Sequence, residues 1–245
     1  MLGVIGGTGL NEPHFLMDLQ LQQVSTPYDQ QSVQILLGTC DGKAVAFLPR
    51  HGRGHKIPPH RINYRANLWA LRSIGVTALI GVNAVGGMHP ELGPGRLAVP
   101  QQIIDYSWGR EHTFFSDGLE EVTHIEFTQP YDEALRQLLL RAAAELPVWP
   151  QGVYACTQGP RLESAAEIAR LQRDGCDMVG MTGMPEAALA RELNMAYACL
   201  ALSVNWGAGI SDEPITMEAI GKVLDSGMVG VVELLRRSIQ AWNEA

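Results

Sequence analysis

ACLALSVNWG, residues 198–207, is the stretch on which the reading of this chain turns. Apolar and small residues run unbroken from Ala198 to Val204, stop at an amide, Asn205, and give way to Trp206 and a Gly-rich loop, GAGISDEP. Such a run, bounded by turn residues, predicts a strand buried on both faces, as strands are in the sheets of α/β proteins. Ligands in those sheets meet the carboxyl ends of strands. Asn205 is therefore a candidate contact that offers a donor and an acceptor without charge.

Working upstream, Pro185 opens a helix over 186–193, where proline is tolerated at a first turn, and Met178–Met181 reads as a short strand. A helix over 164–173 starts with Ser164 and Glu167 in capping-box spacing, after a strand over 153–157 that ends in Gln158-Gly159-Pro160-Arg161. Further strands are expected at 2–5, running into Gly6-Gly7-Thr8-Gly9, and at 78–82, entering a loop Asn83-Ala84-Val85-Gly86-Gly87. Residues 32–37 and 44–48 form a hairpin through Asp41-Gly42, and 96–106 is largely extended. Helices are expected at 63–73 and 132–145, and from Met217 through Val231, Leu234, Leu235, Ile239 and Trp242. Strands alternating with helices, without linker, repeat or low-complexity tract, predict one α/β domain over 1–245, a central mixed sheet flanked by helices.

The 245 residues suffice for one well-buried core, and 46% hydrophobic with 18% charged residues is ordinary for a globular enzyme. A net charge of −8 argues against nucleic acid as a partner. No apolar run reaches the roughly 18–20 residues that span a bilayer, and MLGVIGGTGL lacks the basic start of a signal peptide. Four cysteines without CxxC spacing, Cys40, Cys156, Cys176 and Cys199, read as buried thiols of a cytoplasmic protein. Against the acidic trend, RHGRGHKIPPHRINYR (50–65) holds four Arg, one Lys and three His and no acid. That local field suits a small anion, with Gly52 and Gly54 letting backbone amides approach it.

Three common motifs fail. IGGTG is not GxGxxG, because Glu12 stands at the last position and Pro13 blocks an immediate helix, so a nicotinamide cofactor is not expected. HGRGH has neither HExxH spacing nor a carboxylate beside it, and its arginines would repel a cation; no metal is expected. GMTGM puts Thr where a nucleophile elbow needs Ser. The glycine loop with Thr8 fits an oxyanion better.

VIGGTGL, PRHGRGHKIPPHRINYRANLWAL, GVNAVGG, TQGPRLES, GMTGMPEAALARELNMAYA and VNWG occur in the order of the trimeric purine nucleoside phosphorylases. The chain resembles that family from first strand to last helix, its methylthioadenosine phosphorylase branch most. The resemblance implies a nucleoside phosphorylase-like fold and cleavage of a purine N-glycosidic bond by inorganic phosphate, with no cofactor. It also implies a homotrimer in which His124 of a neighbour approaches the 5′ end of the nucleoside. By the same resemblance, phosphate is held by Thr8, Arg50, His51, Asn83, Ala84 and Thr182, and Met181 lies under the ribose. Asn83 departs from the Thr of the methylthioadenosine branch, though an amide still donates.

Two positions speak to the base. The adenine-using branch has Asp where this chain has Asn205, and a second Asp where it has Gly207; 6-oxopurine enzymes have Asn at the first. An amide donates to O6 and accepts from N7–H. Glu163, after Leu162, stands where oxopurine enzymes have Glu, and its carboxylate can accept N1–H. Adenine offers only a lone pair there, a mismatch that can discriminate on the order of 10⁴-fold. Met217 aligns with the His that meets a 5′-hydroxyl in inosine/guanosine phosphorylases, and a thioether suits a methylthio group instead. Asn205, His51 and Glu163 are thus expected to act on the reacting groups, with Leu162, Met181, Trp206, Gly207, Met217 and His124 contacting the nucleoside. The expected reaction is phosphorolysis of S-methyl-5′-thioinosine to hypoxanthine and 5-methylthioribose 1-phosphate. The alternatives are methylthioadenosine or inosine/guanosine phosphorolysis, and a non-catalytic nucleotide-binding module that needs only the glycine loops.

Overall fold

The computed structural model describes residues 1–243; the last two residues of the expected 1–245 domain lie outside the described residues. The apolar run that ends at Asn205 and Trp206 is the last of eleven strands among the described residues. In order these are β1 (Leu2–Gly6), β2 (Met17–Thr26), β3 (Asp29–Cys40), β4 (Lys43–Pro49), β5 (Ala78–Gly87), β6 (Leu97–Ala98), β7 (Gln102–Asp105), β8 (Val148–Trp149), β9 (Val153–Cys156), β10 (Met178–Gly180) and β11 (Ala196–Trp206). The helices are α1 (Tyr64–Ser73), α2 (Glu133–Ala143), α3 (Ala165–Arg173), α4 (Gly183–Glu192) and α5 (Met217–Ala241). All strands belong to one mixed sheet.

The unbroken apolar run of β11 follows from burial on both faces. Ala198, Leu200 and Leu202 enter a core shared with α2 (Leu135, Leu139) and α5 (Val231, Leu234, Leu235, Ile239). The alternate residues Tyr197, Cys199 and Ala201 enter a second core with Leu68 and Leu71 of α1 and Ala187 and Ala190 of α4. The result is a three-layered α/β/α domain. Local chemistry sets the helix starts: Asn63 and Asp132 accept from Ala66 N and Leu135 N, and Ser164 with Glu167 forms the capping box. The hairpin turn at Asp41-Gly42 has positive φ at both residues, 48° and 82°.

Two expectations are corrected. Residues 83–87 are not a loop: β5 continues to Gly87 because β11 pairs with it in parallel from Ala196↔Ala78 to Trp206↔Gly87. Strand β2 was not expected; five of its first five residues are exposed, so it carries no buried period. It is recruited by antiparallel pairing with β3.

The long β5 creates the site. Its first half pairs with β1 and its last two residues with antiparallel β10, while β11 occupies the other edge throughout. Between the end of β1, opposite Gly81, and the end of antiparallel β10, beyond Val179↔Gly86, the sheet parts, and strand termini converge on the gap. The four cysteines are buried. Among the described residues, no helix is long and apolar enough to cross a membrane.

Candidate active site

A cleft of ≈ 280 Å³ opens at this parting. Its lining includes Thr8, Arg50, His51, His55, Ala84 and Thr182, then Met181, Leu162, Glu163, Val204, Asn205 and Gly207, and an apolar group of Ile215, Met217 and Ile220 among others. It thus gathers segments from almost the whole chain.

In the polar group, Arg50 follows β4 and is 1% exposed. Its Nε and Nη2 grip Glu186 Oε1 and Oε2 at 2.7 and 2.8 Å, Nη1 donates to Val82 O at 3.0 Å, and Nη2 to Asn83 Oδ1 at 3.1 Å. Burial alone would push this guanidinium toward neutrality; the Glu186 carboxylate outweighs it and holds Arg50 charged. Of five N–H groups, one on Nη1 remains for a ligand. Tyr197 Oη donates to Glu186 Oε2 at 2.7 Å, and Asn83 Nδ2 reaches Tyr154 Oη at 3.3 Å. Asn83 therefore braces Arg50 beneath the cleft; Ala84, the next residue, lines it. Gly7 must be glycine: a Cβ there would stand 2.4 Å from Val82 O and 2.8 Å from Arg50 Nη1.

His51 Nδ1 lies 2.8 Å from Ile57 O. A carbonyl only accepts, so Nδ1 carries the proton and Nε2 offers a lone pair. Burial, then the charge of Arg50, pushes the imidazole down to about 4. Between the usual value of 6.5 and that figure, the unfolded chain binds a proton that the folded chain refuses. Stability therefore falls as pH drops through this window, by about 2–3 kcal/mol near pH 4.5. Urea midpoints of wild type and His51→Gln, taken at neutral and acid pH, should show the variant losing less; equal losses would exclude His51 as the source.

In the basic segment, part of the backbone is committed to the turn itself. The N–H groups of Gly52, His55, Lys56 and Ile57 are spent on Pro49 O, Gly52 O and His51 O within the turn. Thr182 follows β10, and its hydroxyl makes no capping bond, so it stays open to an anion; Met184, two residues on, is extended (φ −118°, ψ 142°) and interrupts α4 before its regular turns. Thr8 Oγ1 lies 3.5 Å from His55 Nε2.

At the end of β11, a bulge decides what faces the cleft. Ser203 pairs with Val85 and Asn205 with Gly86, leaving Val204 as the extra residue. Consecutive residues Val204 and Asn205 consequently both line the cleft. Asn205 Nδ2 donates to Trp206 O at 2.7 Å, which fixes the amide and leaves Oδ1 without a partner among the described residues. Glu163 Oε1 accepts from Thr157 Oγ1 at 2.6 Å, and Oε2 is unengaged. Met217, 75% exposed, heads α5 with Thr216 as its cap, so it is not a core residue.

Two expected contacts sit elsewhere in this chain. The Trp206 indole lies against Gly93, where a Cβ would be 2.9 Å from its ring, and contributes its carbonyl to Asn205. His124 is exposed and does not line the chain's own cleft. Sequence reasoning missed Glu186, Tyr197, Thr157, Ile215 and Ile220. The acid in MPEAALA, alone on an otherwise apolar helix start, was the available signal for Glu186.

Residues 1–240 match the family described as the phosphorylase superfamily. The chain belongs to that superfamily. It is an enzyme of the purine nucleoside phosphorylase type, a pentosyltransferase, as the motifs imply. A probable S-methyl-5′-thioinosine phosphorylase of Pseudomonas syringae pv. tomato is 56% identical over 240 residues, 97% of this chain and 98% of that protein. The 6-oxopurine nucleoside phosphorylase of Pyrococcus furiosus is 42% identical, over 97% of this chain and 91% of that one. Among solved structures of the superfamily, methylthioadenosine phosphorylase from Schistosoma mansoni in complex with adenine superimposes with a TM-score of 0.93. That match covers 98% of this chain and 91% of the other at 32% identity.

Proposed function

We propose that the chain catalyses phosphorolysis of S-methyl-5′-thioinosine, giving hypoxanthine and 5-methylthioribose 1-phosphate. The observation that carries this reading is that Asn205 and Glu163 share one cleft with Thr8, Arg50, His51 and Thr182, which suit an anion, and with an apolar group of Ile215, Met217 and Ile220. Phosphate belongs with Thr8, Arg50, His51, Ala84 and Thr182. Neutral His51 accepts the O–H of monoprotonated phosphate at Nε2, while Arg50, Thr8 and Thr182 donate. Held there, a phosphate oxygen forms a bond to C1′ as the C1′–N9 bond breaks and its electron pair passes to the purine. The departing base takes a proton from water at N7, and that N7–H donates to Asn205 Oδ1, while the remaining amide N–H donates to O6 and N1–H donates to Glu163 Oε2. Each partner fits a lactam. At the 5′ end, Met217 and its isoleucine neighbours accept a methylthio group and leave a hydroxyl without a hydrogen bond.

The same-branch relatives named for methylthioinosine and 6-oxopurine substrates support the base assignment. The reading needs no metal or organic cofactor, phosphate being the co-substrate. It places the enzyme in the cytoplasm as a homotrimer, where the exposed His124 reaches the 5′ end of a neighbour's nucleoside.

The test compares kcat/KM for methylthioinosine, methylthioadenosine, inosine and adenosine, with and without phosphate. Methylthioinosine is expected to lead each of the other three by at least about tenfold, the scale of one hydrogen bond or methylene contact, and only when phosphate is present. A lead for methylthioadenosine removes the base assignment; parity of inosine with methylthioinosine removes the 5′ assignment; no phosphate dependence removes the reaction.

A further inference from the structure

Glu163 meets the cleft with a carboxylate whose two oxygens are not equivalent, and the cause lies outside the residues assigned above. Arg161, two residues before it, is taken up by Glu167, Nη1 and Nη2 each 2.8 Å from one carboxylate oxygen. Among the described residues, the one hydrogen bond that Glu163 receives comes from the Thr157 hydroxyl, at 2.6 Å to Oε1. That length is characteristic of a charge-assisted O–H···O⁻ contact.

Thr157 is itself fixed. Its N–H donates to Gly180 O at 2.8 Å, where β9 and β10 end side by side. Its carbonyl accepts from Arg110 Nη2 at 3.1 Å, and the same nitrogen holds Gln158 O at 2.9 Å. Arg110 is 9% exposed, and its other bonds go to Met184 O, Tyr64 Oη and Gln158 Oε1, so the guanidinium serves as a clamp on this segment. The Thr157 hydroxyl has a single hydrogen and two acceptors in reach, Glu163 Oε1 at 2.6 Å and Gly180 O at 3.3 Å. The shorter, charged acceptor takes it.

We infer that Thr157 is a positioning residue for base selection: by donating to Oε1 it turns Oε2 toward the purine as an acceptor for N1–H. The inference rests on the proposed base assignment and deepens it. Were the carboxylate unheld, its rotamers would spread and the penalty against a 6-aminopurine, which brings a lone pair to the same point, would shrink. Thr157 touches no reacting atom, so its effect should pass wholly through Glu163.

The experiment measures kcat and KM for methylthioinosine and methylthioadenosine in wild type, Thr157→Val, Thr157→Ser, Glu163→Gln and Thr157→Val/Glu163→Gln. Thr157→Val is expected to lower kcat/KM for methylthioinosine about tenfold or more, the scale of a hydrogen bond to a charged group, chiefly through KM. It should lower the oxo-to-amino ratio with it, and Thr157→Ser should restore both. Glu163→Gln should collapse the ratio, because a carboxamide presents either a donor or an acceptor to N1. In that background Thr157→Val should change the ratio by no more than about twofold, as full coupling requires. If valine prevents folding, Thr157→Ala takes its place.

Equal losses on both substrates, or a valine effect undiminished beside Glu163→Gln, would show that Thr157 only supports the end of β9, and would overturn the inference. If Glu163→Gln collapses the ratio while Thr157→Val leaves it intact, this inference falls and the base assignment stands. If Glu163→Gln leaves the ratio unchanged, the base assignment falls and takes the inference with it.

Discussion

The double variant Asn205→Asp/Glu163→Ser is expected to move the ratio of kcat/KM for methylthioinosine over methylthioadenosine toward the aminopurine by on the order of 10³-fold or more. The magnitude follows from two mismatches removed together. With adenine in the wild-type cleft, Glu163 Oε2 would face the N1 lone pair, acceptor against acceptor. The amide N–H of Asn205, its partner N–H already given to Trp206 O, would face an exocyclic amine, donor against donor. Asp at 205 accepts from that amine, and Ser at 163 donates to N1. Each repair spares a buried polar group from going unpaired, which costs about 1–3 kcal/mol. The single variants should each shift the ratio by less. Steady-state kinetics on both substrates reads the result directly, and a double variant that retains the parental preference would mean that these side chains do not meet the base.

Glu186→Ala is the second large effect. Arg50 and Glu186 are both about 1% exposed, and removing the acid leaves a buried guanidinium without its counter-charge. Breaking such a pair costs about 3–5 kcal/mol, which for a chain of this size lowers Tm by roughly 10 °C. The Tyr197 hydroxyl, which donates to Glu186 Oε2, loses its acceptor at the same stroke. Because Arg50 lines the cleft, an added phosphate anion can replace part of the missing charge. Saturating phosphate should therefore raise the Tm of the variant more than that of wild type. Thermal melts with and without phosphate decide it; a variant as stable as wild type would mean that the pair contributes little.

How much of this was legible beforehand depended on the range of the interaction. Helix starts at Asn63, Asp132 and Ser164 were readable because a cap bonds to an N–H three residues on. The sheet core was readable in β11 because burial on both faces writes itself as an apolar run. Strand β2 was not, since its side chains are largely exposed and its pairing with β3 leaves no hydrophobic period. The segment 83–87 read as a loop because Asn and two Gly are poor strand formers, and pairing with a strand more than a hundred residues away overrode that propensity.

The cleft divides in the same way. Thr8, Arg50, His51, Thr182, Glu163, Asn205 and Met217 stand in compact motifs that could be recognised one at a time, and the fold brings them to one cavity. The partners that set their charge and aim could not be recognised so. Glu186 lies 136 positions from Arg50, and no local pattern announces the bond. Thr157 is six residues from Glu163, yet the pair is separated by a Gly-Pro turn whose course sequence spacing does not give. Trp206 was assigned to the ligand by adjacency to Asn205; the alternation of side chains along a strand sends its ring to the opposite side, against Gly93.

The extra residue at Val204 carries a final implication for how this enzyme's preference could evolve. Side-chain identity at 205 is free to drift by point mutation, since the kink in the strand, and not the amide, aims that position. Chain length there is not free: gain or loss of one residue between 203 and 205 would send the whole rim to the far side of the sheet. Nucleobase choice in such a lineage is tunable in its chemistry and rigid in its spacing.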